Sequence, residues 1–374
     1  MNIFLLTTSY PQYPGHIQSP FIHQLSKALV KKGMKITVVA PADKGAKLEE
    51  QYEGVSLHRF HYFWPVTTQA LTKAGGIPSN LKQSFFAKLQ FPFFFLAFFL
   101  SSLKHAKQSD IIHAQWSFSA LVGVFLKKIY NKPLLLTERG ASANLAMRNP
   151  FMNIVHRYVL RNCDYITANN QNQIEIFFKE GVSRSKLRAI PNGIDMKVFM
   201  PKDKLSCRKQ LGLAKQAKII LFVGWLIERK GVHYLIKAMQ EVVKKQNALC
   251  YIIGEGIWER RLKELVTKKG LQKHILFLNK QPQKKIVTYL NAADVLVLPS
   301  LSEGKPNVVG EALACGVPVV ATHVNGTKEF FDLFSYGKLV PPRNIEKLSQ
   351  ALLMVLKKPP LLSKHKKAHA HFRK

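Results

Sequence analysis

The sequence predicts an α/β protein of two doubly wound domains. Three observations lead there. Short runs rich in β-branched residues alternate with stretches of helical periodicity, the pattern of βαβ units around a parallel sheet. The chain has 374 residues, enough for two domains of ordinary size. A turn-rich stretch, Pro191-Asn192-Gly193-Ile194-Asp195 through Phe199 and Pro201, breaks the alternation near residue 200. We place the domains at 1–200 and 201–374.

In the first half, Asn2 to Thr8 reads as strand one and Ser9 to Pro20 as a turn-rich loop carrying Gly15. Phe21, Ile22, Leu25, Ala28 and Leu29 recur at helical spacing, and Gly33 stops that helix. Lys35 to Ala40 is the second strand. No Gly-x-Gly-x-x-Gly follows strand one, so this is not a dinucleotide fingerprint. The most hydrophobic stretch is Phe85 to Leu103, interrupted by Lys88, Gln90 and Pro92. Its unbroken part, Phe93 to Leu100, is too short to span a bilayer. It suits a core helix or an interfacial one, and six phenylalanines between Phe91 and Phe99 cover more than one helix face, which favours membrane contact.

Asp110 to Trp116 is a strand end with polar and aromatic residues at the ligand edge. His113 there is either a structural histidine or a site residue. Lys132 to Thr137 is the next strand and leads into Glu138-Arg139-Gly140. Arg139 is either an ordinary surface arginine or a contact for a phosphate or an anionic acceptor. Cys163 to Ala168, a helix from Gln171 to Glu180, and Leu187 to Ile190 complete this half.

Lys218 to Val223 opens the second domain, and Gly224-Trp225-Leu226-Ile227-Glu228-Arg229-Lys230-Gly231 follows it. Cations in such a loop can neutralise a diphosphate. Strands at Ala248 to Ile253 and His274 to Leu278 come next, then a helix at Ile286 to Ala292.

The stretch from Asp294 to Thr322 carries the chemistry. Val295 to Leu298 is a buried strand, Leu301 to Pro306 a loop, Asn307 to Ala314 a helix stopped by Gly316 and Pro318, and Val317 to Ala321 a strand. The loop lies at the carboxyl end of a parallel strand, where open sheets bind ligands. Gly304 allows close backbone approach, and Pro306 presets the first helical turn. The N–H groups of Asn307, Val308 and Val309 favour a phosphate there, with Lys305 adding charge. Glu303 and Glu311 stand eight positions apart and suit sugar hydroxyls rather than phosphate.

With its flanking Pro-Ser, Glu-Gly, Glu-Ala and Cys-Gly-x-Pro-Val-Val, this pair resembles the Glu-x7-Glu signature of retaining glycosyltransferases of family 4, also called group 1. The resemblance covers essentially the whole chain. It implies the GT-B fold, with two Rossmann-like domains facing a cleft, acceptor site in the first and nucleotide-sugar site in the second. It implies metal-independent hexosyl transfer from a UDP-linked sugar, a co-substrate rather than a cofactor, on one face of the sugar. Glu303 would orient the donor sugar and Glu311 the ribose. Lys230, Arg229 and the helix start, with Gly304, Lys305, Pro306, Asn307 and Val308, would hold the diphosphate. Gly15, His113 and Arg139 would serve from the first domain. The chain departs from the family pattern at Trp225, where an arginine is usual, and at Arg139, where a histidine is usual.

Composition bears on partners. The net charge of +34 points to nucleic acid, or to an anionic membrane surface or substrate. Basic residues are spread along the chain and no nucleic-acid module is recognisable, so we expect the membrane surface and no nucleic acid. With the phenylalanine-rich stretch, this suggests a glycolipid or polysaccharide acceptor, as in lipopolysaccharide and other cell-envelope synthesis. A basic nucleic-acid-binding protein and a sugar-nucleotide epimerase are the alternatives. None of the seven aspartates forms Asp-x-Asp, and the four cysteines lack metal or redox spacing. The expected location is cytoplasmic, peripheral on the inner face of the membrane, with a basic tail from Lys357 to Lys374.

Overall fold

The computed structural model describes residues 1–13, 19–72, 76–139, 150–333 and 336–358. Two compact units emerge, Met1–Pro191 and Asn192–Lys374. Residues 192–200, counted with the first domain from sequence, fall in the second unit. Phe199 is buried in its core, and Ile194 lies against Gly310.

The first unit is an eight-stranded sheet, β1 (Asn2–Thr7), β2 (Lys35–Pro41), β3 (Glu49–Tyr52), β4 (Val55–Phe60), β5 (Ile111–Gln115), β6 (Leu134–Glu138), β7 (Tyr165–Ala168) and β8 (Leu187–Ala189). Its order is β3-β4-β2-β1-β5-β6-β7-β8. All pairings are parallel except β3–β4. That hairpin, absent from the sequence reading, turns at Glu53-Gly54, both with positive φ (50° and 81°), as a two-residue hairpin turn requires.

Helices α1 (Pro20–Lys31), α2 (Gly76–Gln83), α3 (Phe85–Lys107), α4 (Trp116–Tyr130), α5 (Pro150–Asn162) and α6 (Gln171–Lys179) accompany it. One apolar core gathers Phe94 and Phe98 of α3, Val122 of α4 and Val159 of α5 around Phe4, Leu6 and Ile112. A second, with Ile22 of α1, Leu5 and Val38, lies on the alternate strand positions. Pro92 does not break α3, which runs its full 23 residues. By length and composition α3 could therefore cross a membrane, which the sequence-based division at Pro92 did not anticipate.

The second unit has six parallel strands, β9 (Lys218–Val223), β10 (Ala248–Ile253), β11 (Ile275–Leu278), β12 (Val295–Leu298), β13 (Val319–Thr322) and β14 (Gly337–Val340). Helices α7 (Lys204–Gln210), α8 (Val232–Lys245), α9 (Glu259–Lys268), α10 (Gln283–Ala292), α11 (Asn307–Ala314), α12 (Asn325–Leu333) and α13 (Ile345–Lys357) connect or cover them. Strand order β11-β10-β9-β12-β13-β14 is the doubly wound order of nucleotide-binding sheets. Every residue of β12 and β13 is buried, as expected of strands covered on both faces.

Candidate functional site

The strand order reverses between β9 and β12, so the loops after these strands meet at the carboxyl edge of the sheet. The Leu301 N–H donates to the Arg229 carbonyl at 2.8 Å. Gly231, at φ +67°, lies so close that a Cβ would stand 2.0 Å from the Pro299 carbonyl oxygen. Only glycine fits that position.

This junction brings three of the sequence-derived residues together. Lys230 Nζ lies 2.6 Å from Glu303 Oε1, which also accepts from Ser300 Oγ at 2.6 Å. Arg229 stands 3.7 Å from the other carboxylate oxygen and donates to the Ser302 carbonyl at 2.7 Å. The Glu303 side chain is only 6% exposed. Burial alone would raise its pKa. Lys230, then Arg229, and the hydrogen bonds from Lys230 and Ser300 outweigh that and hold the carboxyl below its ordinary range.

Glu311 is the opposite case. It is half-buried on α11, its side chain has no hydrogen bond or ion pair among the described residues, and burial pushes its carboxyl up to about 7. A carboxylate so placed lacks donors that a ligand can supply.

The start of α11 is built for an anion. Pro306 precedes it in extended conformation with no side-chain cap. Asn307 and Val308 have no carbonyl a turn earlier to receive their N–H groups. The Val309 N–H, expected to join them, instead donates to the Pro306 carbonyl at 3.1 Å. Asn192 Nδ2 donates to Asn307 Oδ1 at 2.8 Å, fastening the Pro-Asn-Gly turn to the helix start. Gly304 is pressed against Gly326, where a Cβ would come within 1.8 Å of the Gly304 oxygen. Lys305 departs from expectation. It turns to Glu329 at 3.0 Å and lies 5.2 Å above the Phe330 ring, because α12 offers it an opposite charge and an aromatic face. Trp225 is half-buried.

The first unit holds a second polar cluster, at the carboxyl ends of β5 and β6. His113 is 6% exposed, and its Nε2 lies 2.8 Å from Thr137 Oγ1 and 3.0 Å from Gln115 Nε2. Burial, then Arg139, holds its pKa down at about 3, so the imidazole is neutral and fixed. This geometry suits a histidine that positions its neighbours. Arg139 donates from Nε (3.1 Å) and Nη2 (3.0 Å) to Gln115 Oε1 and stacks over Phe21 at 4.6 Å. It is therefore no ordinary surface arginine. Burial lowers its pKa to about 10, against the pull of Glu138, and it stays charged. Gly15 and the basic tail beyond Lys358 lie outside the described residues.

Sequence reasoning missed several partners. Ser300 follows directly on a ligand-edge strand, a position that could have flagged it. Glu138 is fully buried and accepts from Ser117 Oγ at 2.6 Å, which also meets His156 Nδ1 at 2.8 Å. No local pattern announces that chain, because its members come from three separate elements. Among the described residues no group of three or more His, Cys, Asp or Glu is placed to hold a metal ion.

Comparison with known proteins agrees with the α/β architecture of both units. The family described as Glycosyl transferases group 1 matches residues 203–372, and Glycosyltransferase Family 4 matches residues 18–198. An uncharacterized glycosyltransferase of Methanocaldococcus jannaschii is 29% identical over 369 residues, 95% of this chain and 89% of that protein. A D-inositol 3-phosphate glycosyltransferase of Corynebacterium jeikeium is 30% identical over 252 residues, 62% of this chain and 60% of its own length. Among solved structures, sucrose-phosphate synthase from Thermosynechococcus elongatus aligns with TM-score 0.82 and 24% identity, covering 100% of this chain and 94% of that one. An Anabaena protein in complex with UDP and glucose aligns with TM-score 0.77 and 20% identity, over 100% and 94%. Both share the fold.

Proposed function

The chain belongs to the group 1, or family 4, glycosyltransferases of GT-B fold, and we propose that it transfers a sugar from a UDP-linked donor to a lipid-linked or polysaccharide hydroxyl, with retention of configuration. One observation carries the donor reading. At the switch point, a buried carboxylate already paired to lysine precedes an uncapped helix start, and about one turn into that helix a second carboxylate lacks any described partner.

Each residue then has a task. The diphosphate takes the N–H groups of Asn307 and Val308, and Lys230 with Arg229. Lys230 must leave Glu303 to do so. Glu303 then holds one neutral donor, Ser300, and its free lone pairs accept from the donor sugar's hydroxyls. Glu311 accepts from the ribose. In the transfer, the bond from the anomeric carbon to the diphosphate oxygen breaks. The acceptor oxygen bonds to the same face of that carbon, and its proton passes to the departing diphosphate. The cations that neutralise that diphosphate stabilise the charge as it develops, the effect that lowers such barriers most. The UDP seen in the Anabaena relative supports a uridine donor.

The test is a thermal-shift panel of UDP, GDP and ADP on wild type and Glu311→Ala. A ligand that binds only the folded state adds about 2.7 kcal/mol at a hundredfold excess over its dissociation constant. A rise with UDP alone, lost in Glu311→Ala, is the expected result. A rise with another nucleotide would replace uridine. No rise with any of them in the folded protein would overturn the donor site.

A further inference from the structure

We infer that the outer surface of the α3–α4–α5 layer is a docking face for an anionic lipid bilayer, entered by the aromatic side of α3 without crossing. The inference concerns the first unit alone and does not depend on the donor site.

The primary observation is that α3 is apolar on both sides. Its inner stripe, Ala87, Gln90, Phe94, Phe98, Ser102 and Ala106, is buried against the sheet. Its outer stripe is Phe85, Leu89, Phe93, Leu96 and Leu100, recurring every three or four residues, each more than half exposed. A surface helix ordinarily turns a polar face outward. The apolar surface does not end with α3. Phe95 and Phe99 pack edge-on against Phe125 of α4, at 6.0 and 6.5 Å, and Phe125 and Ile129 are themselves exposed. On α5, Ile154 is 68% exposed. Beside the start of α3, Phe63 packs on Phe86 and Phe93, and the adjoining Trp64 is 84% exposed.

Charge selects the occupant. Helices α3, α4 and α5 contain no aspartate or glutamate. Lys88, Lys104, Lys107, Lys128, Arg157 and Arg161 are all exposed on them. Lys128 donates to Tyr158 at 2.9 Å, so basic and aromatic groups interleave between α4 and α5. Among the described lysines and arginines of these helices only Lys127 is matched, by Asp164 at 2.6 Å. An apolar surface on helices that carry cations and no acids fits acyl chains beneath anionic headgroups. A second copy would bring the same uncompensated cations to the interface. Crossing is excluded by packing. Phe94 and Phe98 are 2% and 0% exposed in the sheet core, and a spanning helix would have to leave it.

The experiment uses the full chain with vesicles of phosphatidylcholine, with and without phosphatidylglycerol. Sedimentation should show binding to the anionic vesicles at least about tenfold tighter, weakening with salt. Bromine-labelled acyl chains should quench the emission lost in Trp64→Phe. Phe93→Ser/Leu96→Ser/Leu100→Ser should reduce binding on the order of tenfold or more. Lys128→Glu/Arg157→Glu should abolish the preference for anionic lipid. All five positions are exposed, so unfolding midpoints should hold, and UDP binding without vesicles should be unchanged. Equal binding to both vesicles, no binding, or lipid-free dimers that the serine variant dissolves would each overturn the inference. Loss of UDP binding would bear on the donor site only.

Discussion

Glu311 gives the sharpest test of the donor site, because its carboxyl sits at about 7 rather than at its ordinary 4.5. The perturbation is Glu311→Gln, which keeps shape and removes ionisation. If ribose hydroxyls donate to the ionised form, binding returns the carboxyl toward its ordinary value. At about 1.36 kcal/mol per pKa unit, that full return amounts to roughly 3 kcal/mol, or about 300-fold in affinity. Between about pH 5.5 and 8 the ionised fraction of the free site rises from roughly 3% to 90%, so UDP should bind about 30-fold tighter at the higher pH. Calorimetric titration of wild type and variant over that range provides the measurement. The nucleotide's own phosphate ionises in both, and the difference between the two profiles removes it. Parallel profiles, with the glutamine variant still binding, would refute the assignment of Glu311 to the ribose.

Stability should respond to the two glutamates in opposite senses. The raised Glu311 stabilises most below its ordinary pKa, and that contribution is lost as pH rises through about 7, so Glu311→Gln should gain on wild type in alkaline melts. The lowered Glu303 stabilises above its ordinary pKa and loses that contribution as pH falls through its folded value; Glu303→Gln should flatten acid unfolding. Lys230→Met leaves the buried Glu303 carboxylate only Ser300 and the more distant Arg229, and should cost about 3 kcal/mol in denaturant melts, along with UDP binding. Lys230→Met/Glu303→Gln should regain most of the stability but none of the binding; if the double variant is no more stable than the single, the pair is not what stabilises this edge. Gly231→Ala, with φ at +67° and the Pro299 oxygen 2.0 Å from the new methyl, should lose more than about 1 kcal/mol and displace both loops from register.

Much of the second unit was legible in the sequence. Strands β9, β10 and β12 and helix α11 have the bounds the sequence implied, because short β-branched runs and a Pro/Gly-flanked helix are local signals. The β3–β4 hairpin was overlooked although Glu53-Gly54 was readable as its turn. The interruption of the apolar stretch at Pro92 was given too much weight, since α3 runs through the proline as one helix.

By itself the sequence determined that two carboxylates, a cation pair and a helix start belong to one β-loop-α unit and its partner loop. Only the tertiary structure decided which charges cancel. Lys230 reaches Glu303 across 73 positions, Lys305 turns to Glu329, Arg139 is spent on Gln115, and Glu311 is left without a described partner. Such pairings depend on strand order, and in a parallel sheet neighbours are joined by long crossovers, so no sequence window holds both ends of a contact. The same holds for α3. Its apolar composition is plain in the chain, but which face it buries is fixed only when the sheet takes Phe94 and Phe98 and leaves Phe93 and Leu96 outside.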